Sequence, residues 1–140
     1  MSDIQTLEFD AREAGIKFRV RLLKEDNPEV VDQILKSLPI ESMLGHVVIS
    51  GEAIWLPTRI VHLGATNMVT RHPGAVYLYA PGQSICMTYG AITESALVNK
   101  FGEVLEEDMD ALRALGQVVW NKTIAEPRKQ IVGITIRAAS

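Results

Sequence analysis

"IKFRVRLLKEDNPEVVDQILKSLP", residues 16–39, changes periodicity part-way along. Ile16, Phe18, Val20 and Leu22 alternate with Lys17, Arg19 and Arg21, the period of two that a half-buried strand requires. From Val30 onward the apolar positions Val30, Val31, Ile34, Leu35 and Leu38 recur at helical spacing. Asn27 suits an N-cap, and Pro28 suits the first helical position, where its missing N–H costs nothing. Pro39 stops the helix. The stretch therefore predicts a one-sided strand followed by one amphipathic helix whose apolar face needs a sheet to cover.

The flanks supply that sheet. IQTLEF reads as a strand and DAREAG as a turn. From Leu44 to Leu56 the chain is apolar and β-branched, interrupted at Gly51, which predicts one or two strands with a bulge at the glycine. Residues 57–74 read as a long loop with a short strand in it. AVYLYAPG and SICMTYG are two further strands, and 91–104 shows no decisive pattern. EEDMDALRALG predicts a second helix with acids in its first turn, Met109, Leu112 and Leu115 on one face, and a stop at Gly116. VVW (118–120) and KQIVGITIRA read as strands, the latter with Val132, Ile134 and Ile136 together. About eight short strands and two helices, without regular βαβ alternation, predict a mainly β, α+β architecture: a closed antiparallel barrel covered by two helices.

Composition sets the outer bounds. The sequence has 140 residues, 47% of them hydrophobic and 22% charged, which fits one domain over residues 1–140. The formal net charge of −3 gives no electrostatic reason to expect nucleic acid. The single cysteine rules out an intrachain disulfide and a multi-cysteine zinc site. No apolar run is long enough to span a bilayer and no signal-peptide layout opens the chain, so a cytoplasmic protein with no membrane partner is expected. Apolar residues in the long loop (Ile60, Val61, Leu63, Met68 and Val69) predict self-association.

The order of elements resembles that of cyclophilins. RVRLLKEDNPEVVDQILKSLP is similar to their second strand and first helix, HPGAVYLYAPG and SICMTYG to later strands, FGEVLEEDMDALRALG to the late hairpin and second helix, and KQIVGITIRA to the closing strand. A closer resemblance is to small bacterial cyclophilin-like proteins of unknown function. It rests on Leu38, Pro39, His46, Ser50, Gly51, Glu52, Trp55, Pro81, Gly82, Tyr89, Gly90 and Trp120, with the SGEA-W element the most specific part. A related domain occurs in cucumopine synthase, which joins histidine to a keto acid by a Pictet–Spengler-type ring closure. The resemblance implies a cyclophilin-like barrel. Prolyl isomerisation is not expected, because "HVVISGEAIWLP" stands where isomerases carry a polarising arginine.

That same stretch holds the candidate site. On one regular strand His46, Ser50 and Glu52 share a face with Val48, Ile54 and Leu56. A carboxylate among apolar neighbours finds a partner or shifts its pKa upward, so Glu52 is the candidate acid/base and His46 its catalytic companion. Ser50, Trp55, Tyr79 and Tyr89 are the candidate binding residues. The plainer alternatives are a solvated strand glutamate, a hydrogen-bonded structural histidine, and core or interface tryptophans at 55 and 120. Ser50 lacks a nucleophile-elbow context. His46, Glu52, His62 and His72 match no compact ligand spacing, so no metal is expected. Absence of a phosphate loop or dinucleotide fingerprint leaves no cofactor expected either.

Two functions remain open from sequence. One is an enzyme, hydrolase or cyclase in type, acting on a small nitrogen-containing or carboxylated metabolite such as a cyclic amide, urea or imine. The other is a non-catalytic module that binds such a metabolite in the same pocket.

Overall fold

The computed structural model describes residues 4–65, 67–94 and 96–139. Ten strands form one antiparallel sheet: β1 (Thr6–Ala11), β2 (Ile16–Leu22), β3 (Ile40–Met43), β4 (Gly45–His46), β5 (Gly51–Pro57), β6 (Met68–Thr70), β7 (Ala75–Tyr79), β8 (Ser84–Ile92), β9 (Leu97–Val104) and β10 (Gly133–Ala138). Helix α1 covers Pro28–Ser37 and α2 covers Met109–Trp120. The strand order is β3-β10-β1-β2-β9-β7-β8-β5-β4, with β6 paired to β9. The sheet curls until β3 reaches β5, where the Ser42 hydroxyl donates to Pro57 O at 2.8 Å. The result is the nearly closed antiparallel barrel with two helices that the sequence predicts.

The strand–helix switch at 16–39 falls where its periodicity changes. In β2, Phe18, Val20 and Leu22 point inward and the basic residues point out. Arg19 uses that outward position to clamp the start of α2. Its Nε and Nη2 donate to the two Asp108 carboxylate oxygens at 2.8 and 3.1 Å. Helix α1 buries Val30, Val31 and Ile34 in the barrel core, and α2 adds Leu112, Leu115 and Val119. Asn27 does stand at the N-cap, but its side chain makes no capping bond. Its amide donates instead to Asn99 Oδ1 and Lys100 O across in β9, at 2.7 and 2.9 Å.

Several expectations require correction. Of the ten strands among the described residues, β4 and β6 are too short to leave a periodic trace in the sequence. VVW is not a strand: residues 118–120 form the last turn of α2, and a π-helical turn, Asn121–Ala125, follows. Gly116 does not stop the helix. A Cβ there would lie 2.4 Å from Tyr89 Cε2, so the glycine lets α2 sit against the tyrosine ring. Residues 91–104, undecided from sequence, hold the end of β8 and all of β9. In the long loop Ile60 is buried, whereas Val61, Leu63 and Met68 are exposed. The apolar surface offered for self-association is thus smaller than the loop's composition implies. No helix among the described residues is long and apolar enough to cross a membrane.

Candidate functional site

Residues 46–52 form a hairpin rather than one strand. β4 pairs with β5 so that Gly45 faces Trp55 and His46 faces Ile54, and 47–50 are the tip between them. The period-two argument that put His46, Ser50 and Glu52 on one strand face therefore does not hold. Gly51 has φ 131° and its missing Cβ avoids Ala91 O, which would stand 2.3 Å away. Only glycine accepts that conformation readily. The register slips between Gly51 and Ala53, the bulge expected at this glycine, and the slip re-aims Glu52. The tip is tied down at the end of β8: Thr93 N–H donates to Ser50 O at 3.1 Å, and the Thr93 hydroxyl donates to Ile49 O.

The tip separates two cavities. The smaller, about 350 Å³, gathers His46, Glu52, Tyr89, Gln117 and Trp120. The larger, about 480 Å³, takes Ser50, Trp55 and Tyr79, together with Arg71, Tyr77 and Cys86. Val47 lines both. The residues singled out from the sequence thus fall into two groups: the catalytic candidates with Tyr89 on one side, and the remaining binding candidates on the other.

In the smaller cavity the protons can be placed by chemistry. His46 Nδ1 lies 2.6 Å from Val47 O, which can only accept, so Nδ1 carries the hydrogen. In that tautomer Nε2 is the acceptor, and the Tyr89 hydroxyl 2.6 Å away donates to it. The Trp120 ring packs edge-on against the imidazole, centroids 4.9 Å apart at 73°. Burial, and then the charge of Glu52, push the Tyr89 pKa up, so it stays a phenol at neutral pH. Glu52 itself is exposed, not enclosed by apolar side chains. Ala91 N–H holds its Oε1 at 2.8 Å. Gly90 makes room for the carboxylate, since a Cβ at that position would meet Oε1 at 2.3 Å. An oriented, solvent-facing carboxylate beside a histidine-backed phenol can accept a proton from a ligand nitrogen or carbon, or neutralise a cationic nitrogen.

The larger cavity lies on the outer face of the sheet. Trp55, Cys86 and Tyr77 sit opposite one another on β5, β8 and β7 and form one row of side chains. Burial pushes the Cys86 thiol up to about 12 and raises the Tyr77 phenol, so neither ionises near neutral pH. Arg71 is the residue sequence reading missed. It precedes His72-Pro73-Gly74 in an irregular segment, and no periodicity marks it. The other histidines stand apart. His62 lies 3.5 Å from Gln33 of α1, and His72 accepts from the Lys100 ammonium at 2.7 Å. Among the described residues no three His, Cys, Asp or Glu side chains converge as a metal site.

No family model matches the chain, and no curated protein matches it. Solved structures do. The structure of McbB in complex with tryptophan is similar at TM-score 0.87 and 28% identity, covering 96% of this chain and 45% of McbB. This chain therefore spans less than half of that protein's length. The solution structure of the hypothetical protein AF2241 from Archaeoglobus fulgidus is similar at TM-score 0.70 and 21% identity, covering 99% of this chain and 100% of AF2241. The architecture shared with these structures is the cyclophilin-like α+β barrel.

Proposed function

We propose that this chain is a small-molecule enzyme of the small cyclophilin-like class, acting on a nitrogen-containing or carboxylated metabolite with Glu52 as its acid/base. The observation that carries this reading is the convergence of Glu52, Tyr89 and His46 on one cavity. Glu52 takes or returns a proton at the substrate nitrogen or an adjacent carbon. Tyr89, kept protonated by burial and the neighbouring carboxylate, gives its hydrogen to His46 Nε2, so its oxygen accepts a hydrogen bond from a substrate N–H. His46 fixes the phenol's orientation through Nε2. The cavity's volume lies within the range of about 300–1,000 Å³ usual for small-molecule sites. The likeness to McbB, whose structure contains tryptophan, supports an amino acid or a derivative of one as the substrate class.

The test is turnover across a panel of amino acids with keto acids or aldehydes, cyclic amides, ureas and imines, with saturation binding of each compound measured in parallel. Turnover of any member that disappears in Glu52→Gln supports the enzyme. Binding without turnover across the panel replaces it with a metabolite-binding module. Absence of both removes the reading.

A further inference from the structure

Arg71 lines the larger cavity, yet no carboxylate among the described residues pairs with it. Its Nη2 donates to Glu94 O at 3.1 Å, and Nη1 reaches only 3.5 Å from the Tyr77 hydroxyl. Its Nε is fully buried and has no acceptor among the described residues. A guanidinium has five N–H donors in a planar fork, and leaving a buried one unmade is costly. Two exposed arginines of this protein are better served. Arg19 holds both oxygens of Asp108, and Arg137 holds Glu8 and Asp10 at 2.7 and 3.0 Å. Arg71, by contrast, faces a cavity with a buried Nε and no carboxylate of the described residues on its fork.

We propose that the larger cavity is a second ligand site, specific for a small aromatic monocarboxylate, with Arg71 as the anion anchor and Trp55 and Tyr77 as the ring-binding wall. A ligand carboxylate supplies the two coplanar acceptors that a guanidinium fork takes. One arginine supplies one positive charge, and Glu94 lines the same cavity, so a singly charged carboxylate fits and a phosphate dianion does not. The body of the ligand is specified by the in-register row Trp55–Cys86–Tyr77, flat and largely apolar, with the thiol kept neutral by burial. At about 480 Å³ the cavity admits a bicyclic ring with a short acidic side chain. This site uses none of Glu52, His46 and Tyr89, and it stands whether or not those three are catalytic.

The molecule contains its own reporters. It has two tryptophans, Trp55 in the larger cavity and Trp120 in the smaller. The full chain, labelled with ¹⁵N, is titrated with indole-3-acetate and separately with 3-methylindole, which keeps the ring and lacks the carboxylate. Trp55→Phe and Trp120→Phe assign the two indole N–H signals. Indole-3-acetate is expected to shift the Trp55 signal saturably and to leave that of Trp120 in place. 3-Methylindole is expected to bind about 10-fold or more weaker, and Arg71→Gln to weaken indole-3-acetate by about 10–100-fold, the scale of a charged hydrogen-bonded contact. Equal affinity for the two probes, a dominant shift at Trp120, unchanged affinity in Arg71→Gln or no saturable shift overturns the proposal. If Arg71→Gln does not fold, the two probes on the unmodified chain decide the question.

Discussion

Removing one oxygen, in Tyr89→Phe, tests the proton placement on which the candidate site depends. His46 is 8% exposed, and its Nδ1 hydrogen is committed to Val47 O. Nε2 therefore depends on the Tyr89 hydroxyl for its hydrogen bond. The phenylalanine ring keeps the contact with Gly116 and the edge-on packing with His46, so the loss is confined to the hydrogen bond. Leaving a buried acceptor unpaired costs about 1–3 kcal/mol. A chain of 140 residues unfolds with an entropy of about 0.3 kcal/mol/K near its midpoint, so Tm should fall by roughly 3–10 °C. Thermal unfolding followed by circular dichroism measures this. Long-range ¹H–¹⁵N spectra of the unmodified chain should show His46 as the Nδ1–H tautomer. An unchanged Tm together with an Nε2–H tautomer would refute the reasoning, because the tyrosine would then be accepting rather than donating.

Three further outcomes follow from other contacts. Gly116→Ala should lower the urea midpoint, although alanine favours a helix by about 1 kcal/mol over glycine, because its Cβ meets the Tyr89 ring; a raised midpoint would show that the ring yields easily. Asp108 is held below the usual carboxylate range chiefly by the hydrogen bond from Arg19, so its contribution to stability is present above about pH 4 and is lost as pH falls through the depressed folded value. The difference in urea midpoint between the unmodified chain and Asp108→Asn should therefore be full at pH 7 and shrink below pH ~4; a difference that grows on acidification contradicts the pairing. The native Cys86 thiol should resist alkylation by iodoacetamide at pH 8 and react once in urea, since burial raises it to about 12; rapid labelling of the folded chain argues against that burial.

What the sequence discloses here depends on how local the cause is. β2 and α1 are legible because alternation at 16–22 and the Asn27-Pro28 start act within one element. The end of α2 is not, because Gly116 looks like a stop until Tyr89 of β8 is placed against it. His46–Glu52 reads as one strand because its apolar residues satisfy a period of two. The turn at 47–50 is stabilised by Thr93, more than 40 residues along the chain, and no local pattern reports that. The same stretch does carry the signal for the bulge at Gly51, and the cavity beside it gathers both His46 and Glu52. Tyr89 and Trp120 join them only through β8 and α2 packing. Arg71 lies in a segment with neither periodicity nor motif, and what marks it, a buried Nε with no acceptor among the described residues, is visible only in three dimensions.

The most direct test of the central claim is the turnover of Glu52→Gln, measured at saturating concentration of whichever panel compound the unmodified chain converts. Glutamine keeps the size and can still accept from Ala91 N–H, so the variant should fold with an unchanged spectrum of dispersed amide signals. If Glu52 moves the proton, kcat should fall by about 10²-fold or more while the compound still binds. A variant that turns over at the unmodified rate once saturated, with only its KM raised, would contradict the assignment and reduce Glu52 to a binding group.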